Sequence, residues 1–389
     1  MSRSVRQRIE CGVVLVLASI AAACGSTGPN GVPKGLASCQ GTEFLTVSPI
    51  DPADIGEIAP LGNLSPPYHT LPTDHIYVNT TPVAAGVAKV ATVVAPGTLV
   101  IVEVTKQTRT GGGQSDGVNY GLRFFPCADV AMYFAHLITL SAELASQVGQ
   151  ITECDPPSSS GGITSAECRK RVEINLAAGA QIGTAGGTAF PGIDYGGADS
   201  RTPELAFVNP GRSYGSGQGF GQSHTICPVD YFVPAVASAL RAKFGRNGVR
   251  RTIAPVCGTI MQDVANTAQG RWYFDNTARD DPHLALAHDN GDPRIGVISA
   301  GISIPSLPTG AREFTPATSG RVNLDFPLVT NDGSIYCYQT FSPSPPPPLR
   351  HVLIQLTSPT QLRIEGVIGA TCGDPSTWTF TSGAKDFTR

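Results

Sequence analysis

The sequence predicts a mainly β protein of two domains, and three observations carry that prediction. Glycine and proline are abundant, 44 and 32 of 389 residues, so turns are frequent and long helices are few. Short runs of β-branched and aromatic residues recur between those turns. The chain is 41% hydrophobic and 15% charged, enough apolar surface to fold rather than stay disordered, and too long for one small core. The net charge of −3, with no basic run, argues against nucleic acid as a partner.

The N-terminus reads as an export signal over residues 1–23. Arg3, Arg6 and Arg8 precede an apolar core from Gly12 to Ala23, which is shorter than the roughly 20 residues that span a bilayer. Small residues before Cys24 resemble a lipoprotein signal, so Cys24 is expected to be lipidated. The protein would then sit on the outer face of the cytoplasmic membrane, or be secreted if cleavage simply follows Ala23. Cysteine parity agrees. Of ten cysteines, Cys11 leaves with the signal and Cys24 takes the lipid, so eight remain. An even number in an exported chain reads as disulfides. The expected pairs are Cys154–Cys168, closing a Gly/Ser-rich loop, and Cys337–Cys372, joining neighbouring strands. Cys39–Cys127 and Cys227–Cys257 complete the set. The absence of CxxC argues against a cysteine zinc site.

Residues 24–40 read as a flexible tether. Residues 41–228 are dominated by strand signals: "VAKVATVVAPGTLVIVEVTKQ" is two strands broken at Pro96-Gly97, "GVNYGLRFFP" is a third, and "ADVAMYFAHLITLSAELA" is a strand running into a short helix. Phe124, Phe125, Tyr133 and Phe134 read as core aromatics. "DYFVPAVASALRAKFG" predicts a helix over 230–245, within a linker at 229–248. In residues 249–389, eight short runs are read as strands ("RWYFDN", "HLALAH", "RIGVISAGISI", "RVNLDFPLV", "SIYCYQTF", "HVLIQL", "QLRIEGVI", "TWTFTS"), predicting a β-sandwich or barrel.

One stretch carries chemistry. "SPPYHTLPTDHIYV" holds His69, Asp74 and His75 in a chain with only seven histidines. Histidine with a carboxylate suits zinc, whereas a polar turn entering a strand is the structural alternative. Because a strand alternates faces, Asp74 and His75 are expected to point oppositely, with His75 turned away. The ordered segments that follow, "VVAPGTLV", "YFAHL", "LAAGAQIGTAGG" and "PGIDY", resemble those of lysostaphin-type zinc metallopeptidases, which cleave peptidoglycan cross-bridges.

The resemblance covers about residues 60–200. It implies a barrel-sandwich (duplicated hybrid motif-like) fold for the first domain. It also implies a zinc ion held by His69, Asp74 and Asp194, and His136 as the catalytic histidine beside it. Asp194 stands where the family has histidine, and the more anionic ligand set makes manganese or calcium conceivable. Gly192 stands where the family has its other catalytic histidine, so weak or absent peptidase activity is expected; His224 is a candidate to fill that place. The implied partners are peptidoglycan or another envelope peptide, and the membrane through the lipid, with the chain itself a monomer. The competing function is an inactive binding or scaffold lipoprotein that keeps the fold.

Overall fold

The computed structural model describes residues 31–389 except 114–115, 161, 213–219 and 340–348. The signal segment and Cys24 lie outside the described residues. As predicted, the fold is mainly β, and two hydrophobic cores divide it.

In the first part the strands are β1 (Ile55–Ala59), β2 (His75–Thr80), β3 (Pro82–Ala84), β4 (Val87–Val94), β5 (Leu99–Thr110), β6 (Gly117–Cys127) and β7 (Val130–Leu137). They are followed by β8 (Thr139–Leu140), helix α1 (Ala142–Val148), β9 (Glu153–Cys154), β10 (Ser158–Ser160), β11 (Ile163–Leu176), β12 (Gln181–Gly187) and β13 (Gly192–Asp199). The strand break at Pro96-Gly97 falls between β4 and β5, and "YFAHL" ends β7 before α1, both as the sequence predicts. The larger sheet runs β1-β2-β13-β7-β6-β5-β11-β10, with β9 on β11. The smaller runs β3-β4-β12-β8. Side chains from both sheets, such as Ile76, Phe124 and Phe134 from the larger and Val93 and Ile182 from the smaller, bury into one cluster.

Two expectations change here. Residues 31–40 are not a free tether: Val32 and Leu36 pack against Val102, Phe125 and Ala131, and Cys39 is bonded to Cys127. Nor does one helix fill 230–245. Residues Pro228–Tyr231 form a 3₁₀ turn, and α2 spans only Pro234–Arg241. Pro234 has no N–H to continue a helix from its N-terminal side and forces Val233 to be extended, so it opens the helix instead of sitting inside it. Val229, Phe232, Ala237, Leu240 and Phe244 bury into the first core, so this segment belongs to the first unit rather than linking two.

The hairpin β14 (Gly245–Arg246) and β15 (Val249–Arg250) leads to the second unit. There, β16 (Gly270–Trp272), β17 (Leu284–His288), β18 (Gly296–Ala300) and β19 (Gly310–Phe314) form one antiparallel meander. A second meander comprises β20 (Tyr336–Tyr338), β21 (Arg350–Ser358), β22 (Gln361–Ile368) and β23 (Lys385–Thr388). Trp272, Leu286 and Ile298 from one sheet meet Tyr338, Ile354 and Ile364 from the other in one core, a sandwich, which is one of the two forms the sequence predicts. "RVNLDFPLV" is no strand: Pro327, which has no ladder donor, sits in a 3₁₀ turn at Phe326–Leu328. "TWTFTS" is likewise irregular, and β19 was not anticipated.

All four expected disulfides are present: Cys39–Cys127, Cys154–Cys168, Cys227–Cys257 and Cys337–Cys372. They point to an oxidising, extracytoplasmic location. Among the described residues no helix is long and apolar enough to cross a membrane.

Candidate functional site

The site is built on three neighbouring strands of the larger sheet. Gly196 of β13 lies opposite His75 of β2 and Tyr133 of β7, and Asp194 lies opposite Tyr77. Residues directly opposite share a face, so His75, Tyr77, Asp194 and Tyr133 project together. Gly196 is what lets them meet: a Cβ there would collide with the Tyr133 ring, which lies over it to reach His75.

His136 joins this face against strand alternation, because it sits in a β-bulge. Leu122 pairs with Phe134 but Tyr120 pairs with Leu137, leaving one extra residue on β7. His136 takes up the irregularity in a left-handed conformation, φ 66°, rare for a residue with a side chain. Its Nε2 lies 3.2 Å from Asp194 Oδ2, and its Nδ1 faces Asn119 Oδ1 at 3.3 Å. Its ring stacks on Phe190, with centroids 3.9 Å apart.

His75 is central, contrary to the expectation that it turns away. That expectation counted Asp74 as a strand residue, but β2 begins at His75. His75 Nδ1 lies 2.8 Å from the Tyr133 hydroxyl and 3.3 Å from Asp74 Oδ1. Its Nε2 lies 3.5 Å from Asp194 Oδ2, too far for a good hydrogen bond, and is buried without a hydrogen-bond partner. The two carboxylates therefore stand at opposite nitrogens of one imidazole. Asp74 does not share a centre with Asp194 as the resemblance implied. It accepts hydrogen bonds from Tyr133 Oη (3.0 Å) and Gln222 Nε2 (3.3 Å) instead. Tyr133, read as a core aromatic, is thus a polar member of the site.

His69 sits in a tight turn closed by Ser65 N–H to His69 O (2.8 Å) and His69 N–H to Ser65 O (3.1 Å). Its ring meets the His75 ring edge-on at 5.4 Å. His69, His136 and Asp194 line one cleft of about 470 Å³, together with Tyr68, Arg109 and Phe190. His224 lies elsewhere. Its Nδ1 faces the Thr202 carbonyl at 3.1 Å and its Nε2 is 3.7 Å from Glu204, so it does not fill the place of Gly192.

Charge follows from this geometry. Burial, helped by His75, pushes the His69 pKa down to about 4, so the ring is neutral near pH 7 with a lone pair free. Burial works to raise Asp194, but His136 and His75 outweigh it and hold its carboxyl well below the usual range. At Asp74 burial is likewise outweighed, by the His75 contact, and the pKa is lowered. At His75 burial works to lower the pKa, and Asp194 and Asp74 together raise it.

The second unit holds the loop that carries His69. Asp280 accepts the Leu71 N–H at 3.2 Å, and Arg271 donates to Gln222 Oε1 at 3.0 Å behind Asp74. No local sequence pattern signals Gln222, Arg271 or Asp280, because each arrives by long-range packing. Burial raises the Asp280 pKa from 3.8 to about 7. A raised folded pKa contributes stability that is complete below the unfolded value and is lost as pH rises through the folded one. Asp280→Asn is therefore expected to be more stable than wild type at about pH 8, by on the order of a few kcal/mol, and to lose that advantage near pH 4. Urea midpoints at the two pH values test this. A difference that does not change with pH would show that Asp280 titrates normally.

Among the described residues no group of three or more His, Cys, Asp or Glu side chains stands where it could hold a metal ion as placed. Compared with protein-family models, curated proteins and solved structures, the chain matches none.

Proposed function

We propose that the chain is an exported envelope lipoprotein, anchored through Cys24, whose first unit is a divergent metal-dependent hydrolase of peptide cross-links. The reading rests on the buried His75 Nε2 that has no hydrogen-bond partner and lies 3.5 Å from Asp194 Oδ2. Two donors bound to one tetrahedral zinc at 2.0–2.2 Å stand about 3.3–3.6 Å apart, so this pair has the spacing of a ligand edge. The neutral His69 ring beside them offers the third donor. The ligand set is then His69, His75 and Asp194. Asp74 on His75 Nδ1 orients the imidazole from behind, the usual partner of a ligating histidine.

Zinc, when bound, supplies Lewis-acid polarisation of a peptide carbonyl. The chain's own residues do the rest. His136 faces the Asp194 carboxylate with Nε2, carries its proton there and would give that proton to the leaving amine, and Asn119 fixes the ring at Nδ1. Tyr133 and Asp74 fix His75. A second reading, an inactive envelope-binding protein, is favoured by Gly192, where the backbone leaves no room for any side chain and so for a second proton-handling histidine.

Elemental analysis of the purified mature protein is the test. One equivalent of zinc is expected, lost in His69→Ala and Asp194→Asn, and held about 10–100-fold more weakly in Asp74→Asn. A wild type that takes up no zinc when zinc is offered would sink the metal reading. Hydrolysis of cross-linked peptidoglycan by the zinc form is expected to be slow, about 10²–10⁴-fold below a site with both histidines. No metal-dependent cleavage at all would favour the binding reading.

A further inference from the structure

The cleft has a second feature that the metal reading does not use. Arg109 of β5 reaches over it between two rings: its guanidinium carbon lies 5.8 Å from the Tyr68 centroid and 5.4 Å from that of Phe190. Phe190 in turn stacks on His136. Arg109 is therefore one ring away from the histidine at Asp194. Among the described residues no carboxylate pairs with Arg109, and its buried Nε has no hydrogen-bond partner. The other arginine on the cleft wall, Arg246, is occupied by Asp289.

A guanidinium held between two aromatic faces has its plane fixed and its edge donors unspent. That edge is a rigid fork matched to the two oxygens of a carboxylate, and partial burial strengthens the pair it forms. The fork also fits phosphate, but Asp194 and Glu57 line the same cleft and disfavour a doubly charged group. We infer that Arg109 anchors a free carboxylate of the ligand, so that the substrate class is a peptide carrying an acidic group or chain end close to the reacting bond. This narrows the substrate of the proposed hydrolase and rests on that reading for the word substrate; the carboxylate site itself stands on Arg109, Tyr68 and Phe190.

The experiment uses the full mature chain treated with a chelator, so that zinc plays no part. N-acetylglycylglycine, with its free carboxylate, and its C-terminal carboxamide are titrated separately while the Arg109 side-chain Nε–Hε resonance is followed by NMR. The acid is expected to bind about tenfold or more tightly than the amide, the size of one charge-assisted contact. Arg109→Gln should abolish the preference and Arg109→Lys should retain part of it, with circular dichroism showing both variants folded. Equal binding of acid and amide by wild type, binding of neither, a preference for inorganic phosphate over the acid, or a preference that survives in Arg109→Gln would each overturn the proposal. Its failure is separable from that of the metal reading. A chain that discriminates acid from amide yet takes up no zinc fails only as a metalloenzyme, and a zinc-loaded chain that does not discriminate fails only here.

Discussion

His75→Ala is expected to destabilise the metal-free protein by about 3–5 kcal/mol, the cost of removing one partner from a buried ionic group. His75 stands between Asp74 and Asp194, and its side chain and theirs are all nearly buried. Without it two carboxylates face each other across a hole, and Tyr133 loses its 2.8 Å contact. The pH dependence identifies the cause. The His75 pKa is raised, so its contribution is complete below its ordinary value of 6.5 and is lost as pH climbs through the raised one. The carboxylates are lowered, so theirs is complete above their ordinary value of 3.8 and is lost as pH falls through the lowered one. The penalty of His75→Ala should therefore peak between about pH 4 and 6.5 and shrink in alkali. Urea midpoints across that range measure it. A penalty below about 1 kcal/mol at pH 5 would mean that the three groups are not coupled as drawn.

The second large effect is at Gly192. Placing a histidine there should damage the protein rather than improve it. A Cβ at Gly192 would fall onto the Val78 carbonyl oxygen and within 2.8 Å of Asn79 Cα, both on the paired strand β2. The obstacle is backbone, so no rotamer relieves it, and β2 must move away from β13. Gly192→Ala is expected to cost about 3 kcal/mol, the upper range for overpacking, and Gly192→His at least as much with no gain in hydrolysis. Gly211, whose added Cβ would meet only the Asn209 side chain at 3.6 Å, provides the control. Gly211→Ala should stay within about 0.5 kcal/mol of wild type. If Gly192→Ala melts with the wild type, the strand spacing described here is wrong.

The cleft residues also show what the sequence could and could not convey. Asp194 and His136 were named only through the family resemblance of the ordered segments, and both line the cleft. The face on which His136 appears was not reachable, because it depends on a bulge in β7 that strand alternation does not foresee. The expectation that His75 turns away missed by a single residue, the start of β2: one position decides which side chain shares the face of Asp194. Parity made disulfides legible and a short loop pointed to Cys154–Cys168, but Cys39–Cys127 and Cys227–Cys257 only completed the set, and Gln222 and Asp280 carry no local signal at all. The helix expected over 230–245 was too long because a proline inside an amphipathic run reads as a helix interior until its missing N–H is counted.

The contacts that Asp280 makes on the His69 turn also join the two units. The Leu71 amide is held by a carboxylate more than two hundred positions along the chain, 209 residues away. The two units therefore meet at the turn itself, two residues from a ring that faces the cleft. Leu64 and Leu71, on either side of that turn, also pack against Tyr273, Ala285, Ala287 and Val297 of the second unit in one small apolar cluster. The turn that presents His69 is therefore partly a surface of the second unit, and a first unit produced alone would leave Leu64, Leu71 and the Leu71 amide uncovered.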